Sequence, residues 1–151
     1  MNTPWKPNVT VAAIIERGGL FLMVEEETPD GLQFNQPAGH LDEGESLITA
    51  CARETLEETA WHFAPTQLIG IYQWPRPQGD ITYLRFAFSG TLGTHDQNRA
   101  LDTGIVRAVW MTPEEIKTTQ NRHRSPLIWQ CVTDYLAGQR FPLSIIRQYD
   151  K

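Results

Sequence analysis

Fourteen residues, Ser46 to Thr59, run without a glycine or proline, and the stretch is bounded by Pro37-Ala38-Gly39 before it and Pro65 after it. Residues 47–59 are mostly helix formers, and Ser46 is suited to accept the first free backbone N–H, so the spacing predicts one long helix starting at Leu47. Pro65 marks its expected far limit. At about 100° per residue, Glu54, Glu57 and Glu58 fall within one arc of roughly 100°, with Arg53 at its border. Like charges three or four apart cost about 0.2–0.5 kcal/mol per pair, so the face is mildly unfavourable unless a cation neutralises it. On the helix alone, a solvated acidic surface is the better account, because charged outer faces are what surface helices usually have.

The chain's net charge of −5 is concentrated here. From Asp42 to Glu58 there are six acids and one base, and the remaining twelve bases and twelve acids cancel. An acidic balance of this kind argues against a nucleic-acid-binding face. With 151 residues and 40% hydrophobic content, the expectation is one domain spanning residues 1–151. No window approaches a membrane span, and Met1-Asn2-Thr3-Pro4-Trp5-Lys6 carries no signal-peptide core, so a cytoplasmic protein with no membrane partner is expected. Cys51 and Cys131 have neither metal-site spacing nor a disulfide pattern and are expected to be buried thiols.

Strands are expected on both sides of the helix. Val9–Ile15 and Leu20–Glu26 flank Arg17-Gly18-Gly19 and predict a hairpin, and 32–36 predicts a short strand. Leu68–Trp74 and Ile81–Leu92 form a second expected pair around a proline-rich loop, followed by a polar loop and a strand at Ile105–Trp110. In the Ile81–Leu92 strand, Leu84, Phe86 and Phe88 share one face and Tyr83, Arg85 and Ala87 the other. Thr112-Pro113-Glu114-Glu115 and Ser125-Pro126 each open a helix, the second ending at Gly138.

The segment Gly39-His40-Leu41-Asp42-Glu43-Gly44-Glu45, followed after seven residues by Arg53-Glu54-Thr55-Leu56-Glu57-Glu58, resembles the Nudix box. Gly39, Glu45, Arg53, Glu54, Glu57 and Glu58 match six of its seven fixed positions, which by chance has odds of about one in ten thousand. The departures are Ala60, where the family has glycine, and Thr55, where it has an aliphatic residue. A left-handed Ala60 would cost about 1 kcal/mol.

The resemblance implies an α+β Nudix fold, a mixed β-sheet sandwiched between helices. It also implies a hydrolase of phosphoanhydrides that needs Mg2+, with Mn2+ as an alternative. Glu54, Glu57, Glu58 and the Gly39 carbonyl match the family's metal ligands, Arg53 the arginine that orients them, and Glu45 the acid supporting the helix start. Glu54 and Glu57 are the leading general-base candidates. Asp96 and Asp102 are later-loop alternatives, and Asp102 ranks below the helix acids.

Further segments, among them Asn35-Gln36-Pro37-Ala38-Gly39-His40-Leu41, Leu84-Arg85-Phe86 and Arg124-Ser125-Pro126-Leu127, resemble a phosphatase branch of the family. That likeness implies release of orthophosphate from nucleoside tri- and diphosphates and thiamin-related pyrophosphates. Other readings are an ADP-ribose or dinucleoside polyphosphate pyrophosphatase, and a non-catalytic Nudix-fold nucleotide sensor. The expected partner is a small nucleotide or pyrophosphate substrate, and the expected assembly a monomer or weak homodimer. Arg85, Arg122 and Arg124 are the candidate phosphate clamps. Trp74 leads Trp5, Tyr72 and Phe34 as a platform for a ring. His40 and His95 are expected to make only loop hydrogen bonds.

Overall fold

The computed structural model describes residues 2–150. Its strands are β1 (Asn8–Ala13), β2 (Glu16–Arg17), β3 (Leu20–Thr28), β4 (Gly31–Asn35), β5 (Ala38–His40), β6 (Trp61–Pro75), β7 (Thr82–His95), β8 (Ile105–Met111) and β9 (Phe141–Pro142). The helices are α1 (Leu47–Thr59), α2 (Pro113–Thr118) and α3 (Leu127–Leu136). One mixed sheet runs β5-β1-β7-β6-β9, with β1 and β7 parallel. A second, antiparallel sheet is built on β3, which pairs with β2, β4 and β8.

The expected α+β architecture, a mixed sheet between helices, is what the chain forms. One core gathers Val11, Ala13, Leu22 and Phe88 under Ala50 and Cys51 of α1. The other gathers Ile14, Met23, Phe34 and Ala87 under Ile116 of α2 and Ile128, Cys131 and Val132 of α3. Val11, Ala12, Ala13, Ile14 and Ile15 are all buried, because this segment is covered on both faces. Among the described residues, no helix is long and apolar enough to cross a membrane.

The helix signals hold. Ser46 Oγ accepts from Thr49 N at 3.0 Å, and Thr112 and Glu115 form a reciprocal capping box. Thr55 is fully buried, and its hydroxyl donates to the Cys51 carbonyl at 2.8 Å, so a polar side chain fits where an aliphatic one was expected. Ala60 is left-handed (φ 62°), and its N–H closes on the Leu56 carbonyl.

Two expectations are corrected. The Gly18-Gly19 turn joins only β2 to the start of β3, while β1 leaves for the other sheet. The chain changes sheets at Ile14–Ile15, where Ile14 N donates to Phe88 O and Leu22 N to Ile15 O. The strand expected from Leu68 begins earlier, at Trp61: the helix ends at Thr59, as expected and short of Pro65, because the left-handed Ala60 turns the backbone directly into β6. Pro65 instead sits at one of three register shifts along β6, where a missing N–H is tolerated.

Opposite Pro65 stands Gly90, and a Cβ there would lie 2.0 Å from the Ala64 carbonyl oxygen. Backbone cannot swing aside as a side chain can. Gly90→Ala is therefore expected to lower stability by about 1–3 kcal/mol, a drop of several degrees in Tm. Gly93→Ala, whose nearest obstacle is His62 at 3.3 Å, should lose less. Thermal unfolding of both variants checks the ranking, and equal losses would contradict it.

Candidate active site

The site begins with the loop between β5 and α1. Arg53 holds that loop to the helix: Nε and Nη2 donate to the two Glu45 oxygens at 2.7 and 3.0 Å, and Nη2 also donates to His40 O at 3.0 Å. Its Nη1 donates to Glu54 at 2.9 Å and Glu57 at 3.2 Å, and Asp42 lies 3.3 Å from Nη2. The guanidinium hydrogen bonds hold the Glu45 carboxyl below the usual carboxylate range, against a smaller opposing effect of burial. One cation thus faces four acids, and the cluster keeps an excess of negative charge.

The helix places the remaining acids differently from expectation. Oxygens of Glu54, Glu57 and Asp102 lie within 4.8 Å of one another. Glu58 is outside that group and buried, with Oε1 accepting from Ala38 N at 2.9 Å. Burial pushes its pKa up to about 9, aided by Glu26, Glu54 and Asp102 and opposed by the Ala38 hydrogen bond. Burial likewise raises Glu54, partly countered by Arg53. Asp102, ranked below the helix acids from sequence, is carried to them because its N–H donates to the Glu57 carbonyl at 3.0 Å. That contact spans forty-five positions, and no local pattern announces it. Asp96 joins Ala60 instead.

Gly39 is fixed by space. A Cβ there would fall 2.1–2.3 Å from the Glu54 carboxylate atoms, so only glycine lets that carboxylate reach the β5 backbone. Three converging carboxylates against a bare backbone form an all-oxygen donor set, which suits a hard divalent cation.

Beside these acids opens a cleft of about 330 Å³, lined by Gly39, Glu54 and Glu58 at one end and by Trp74, Tyr83 and Arg85 further along. Trp74 stacks on Tyr83 with ring centroids 6.1 Å apart. Arg124 also lines the cleft and pairs with Glu26 at 3.1 Å. Arg122 does not line it. Its guanidinium is taken up by Glu25, donates to Leu32 O at 3.1 Å and lies over the Phe34 ring, so it is not free to clamp phosphate. Tyr72 donates to Asp134, Phe34 is buried, and Trp5 is exposed away from the cleft. His40 lines the cleft, whereas His95 packs on Trp61.

A family model described as NUDIX domain matches residues 5–130. The chain belongs to the Nudix family. Its Nudix relatives include phosphatase NudJ of Escherichia coli (strain K12), 38% identical over 146 residues, which cover 97% of this chain and 94% of that one. Among solved structures, a Nudix hydrolase from Nitrosomonas europaea superposes with a TM-score of 0.92 at 54% identity, covering 96% of this chain and 99% of that one. A MutT Nudix hydrolase from Burkholderia pseudomallei, 15% identical with a TM-score of 0.72 over 86% and 98% of the two chains, shares the fold. The protein is a Nudix hydrolase acting on phosphoanhydrides, a family that works on small nucleotide-type substrates with divalent metals.

The Glu25 pairing has a pH signature. Hydrogen bonds from Arg107 and then Arg122 hold Glu25 below its ordinary value of 4.5. A depressed carboxylate adds stability above its unfolded pKa and loses it as pH falls through the folded one. Arg122→Ala should therefore destabilise the fold most above about pH 5. The gap from the parent should narrow below about pH 4, leaving the losses of the Phe34 and Leu32 contacts. Denaturant unfolding across that range tests this, and a gap independent of pH would assign no share to the ion pair.

Proposed function

We propose that this Nudix hydrolase is a Mg2+-dependent phosphatase that releases orthophosphate from nucleoside tri- and diphosphates and from thiamin-related pyrophosphates. The observation that carries the metal-dependent reading is the convergence of Glu54, Glu57 and Asp102 oxygens within 4.8 Å, at the end of a cleft with an aromatic wall. The substrate choice rests on the likeness to a phosphatase over nearly the whole chain.

Glu54, Glu57 and Asp102 would hold the metal, with the Gly39 carbonyl and Glu58 beside them. The bound ion supplies the positive charge that acidifies the attacking water and offsets charge on the bridging phosphate oxygen. Mn2+ would suit the same oxygen donors. Arg53 is a positioning residue: it fixes the Glu54 and Glu57 carboxylates from behind through Nη1. Asp102 is exposed and has no ion-pair partner among the described residues, so with one carboxylate oxygen toward the metal its other oxygen accepts the proton of the attacking water. The water oxygen bonds to phosphorus, the anhydride P–O bond breaks, and the departing phosphate takes the electron pair. Arg124 lines the cleft with only Nη1 engaged by Glu26, so its remaining N–H groups serve phosphate oxygens there, and Trp74 supports a ring.

The deciding assay incubates the protein and Mg2+ with GTP, GDP, thiamin pyrophosphate, ADP-ribose and a dinucleoside polyphosphate, separating orthophosphate from other products. Orthophosphate from the first three is expected, and cleavage confined to the last two would replace the substrate reading. Glu57→Gln should keep the fold, since it removes like-charge repulsion, and lower kcat by about a thousandfold. Saturating Mg2+ at about 100 times Kd should stabilise the parent by about 2.7 kcal/mol, with a smaller gain in Glu57→Gln. Equal thermal shifts in the two proteins would remove Glu57 from the metal site. Trp74→Ala should chiefly raise KM for ring-bearing substrates, and an unchanged KM would assign Trp74 to packing alone.

A further inference from the structure

Arg85 differs from the other arginines around the site. It is only 6% exposed, and no carboxylate lies within ion-pair distance of it among the described residues. Arg53, Arg76, Arg122 and Arg124 each meet at least one acid, and each is more open to water. A buried cation held without a counter-charge carries a desolvation cost, so its position needs a reason.

What holds Arg85 is neutral. Nη1 donates to Gln36 Oε1 at 2.8 Å and Nη2 to Asn35 Oδ1 at 2.9 Å, with Cys131 Sγ 3.9 Å from Nη1. Gln36 is itself anchored, its Nε2 donating to the Ile128 carbonyl at 2.8 Å. These contacts fix the guanidinium without cancelling its charge, and they occupy three of its five N–H groups. Nε–H meets no acceptor among the described residues, and no fully buried side-chain polar atom there lacks a partner. Nε is therefore open, and what it opens into is the cleft that Arg85 lines.

A second donor stands beside it. Thr10 is in register with Arg85 on the parallel strand β1, so the two side chains leave the sheet on the same face, with their backbones about 5 Å apart. The Thr10 hydroxyl has no hydrogen-bond partner among the described residues, and it too opens into the cleft. The acids border the same space. Ala38 N–H, three residues after Asn35, holds Glu58, and Gly39 receives the Glu54 carboxylate. The segment 35–39 thus carries the amide that aims the cation at one end and the backbone that meets the acids at the other, along one cleft wall.

An open guanidinium edge beside a free hydroxyl selects an anionic oxygen. The hydrogen bond from Arg85 is charge-assisted, and its buried setting strengthens it relative to one made in water. The exposed arginines, already paired, have less to offer. Phosphates are also the one part that nucleoside phosphates and thiamin-related pyrophosphates share, whereas their rings differ.

We propose that Arg85 Nε–H and the Thr10 hydroxyl form a phosphate subsite in the cleft, gripping phosphoryl oxygen of the substrate's diphosphate and leaving its ring to the aromatic wall. Asn35 and Gln36 are positioning residues: they aim the guanidinium and leave its charge for the substrate. The inference rests on the assignment of this cleft to the substrate, and its test reads binding, which is independent of turnover.

Isothermal titration with Mg2+ and methylenediphosphonate, a ring-free diphosphate that cannot be hydrolysed at its bridge, would compare the parent with Arg85→Gln, Arg85→Lys, Thr10→Val and Asn35→Asp. Arg85→Gln should weaken binding by about tenfold or more, Arg85→Lys by less, and the isosteric Thr10→Val by about three- to tenfold. Asn35→Asp keeps an acceptor for Nη2 but answers the charge, and should also weaken binding. All four should keep the thermal shift caused by Mg2+ alone. On the parent, the Arg85 Nε–H resonance should move when the diphosphonate is added. Affinity unchanged in a folded Arg85→Gln, in Thr10→Val or in Asn35→Asp would overturn the proposal, as would an Nε–H resonance that does not respond. Should both Arg85 variants unfold, the parent resonance and Thr10→Val decide. Diphosphonate binding that depends on Arg85 without metal-dependent hydrolysis would sink the hydrolytic reading and leave the subsite standing. Hydrolysis with diphosphonate affinity indifferent to Arg85 and Thr10 would do the reverse.

Discussion

The Arg53 guanidinium ties together parts of the chain that would otherwise repel or drift. Through Glu45 and the His40 carbonyl it fastens the β5–α1 loop to the helix, and through Glu54 and Glu57 it sets two carboxylates side by side. Its own charge is held more firmly than in water, chiefly by the Glu45 hydrogen bonds. One positive charge among Asp42, Glu45, Glu54 and Glu57 cannot neutralise them, and Asp102 adds another acid to the far side. The framework thus holds the acids together while leaving an excess of negative charge, which the proposed divalent cation would offset.

The mixed sheet gives this charged end its counterpart. Because β1 lies parallel to β7 and antiparallel to β5, Thr10 stands between His40 on one side and Arg85 on the other. The next pairing sets Arg85 opposite Tyr72, and Tyr83 opposite Trp74. The sheet therefore carries a graded surface from the acids at Gly39 to an aromatic wall, and the cleft follows that gradient. A substrate with an anionic anhydride and a ring matches it end to end.

Local signals were legible in the sequence because their physics is local. The Ser46 cap, the Thr112 capping box, the Gly18-Gly19 turn and the β6–β7 pairing depend on residues close along the chain or on alternation within a strand. The box residues were legible for another reason: a spaced set of acids and glycine is tied to one chemistry. What escaped depends on distant contacts. Nothing near Ile15 tells β1 to leave its hairpin, and nothing near Asp102 says that its N–H will meet the Glu57 carbonyl. Arg122 looked like a phosphate clamp because Glu25, nearly a hundred positions away, was not visibly its partner. Arg85 showed its face by alternation, but its lack of a counter-charge emerges only when Asn35, Gln36 and Cys131 are assembled around it.

The same distinction decides between the two meanings of an acidic helix face. A solvated face would leave its glutamates in water at ordinary pKa values, with no reason for glycine opposite them. Here the Glu58 carboxyl is buried against Ala38 N, and burial raises both it and Glu54. Gly39 is stripped of any side chain where Glu54 arrives. Each of these features costs stability in the absence of a cation, and a divalent ion among the same oxygens offsets them together. Glu54 and Glu58 are turned inward to line the cleft, an arrangement that surface solvation does not require and that the proposed divalent ion would account for.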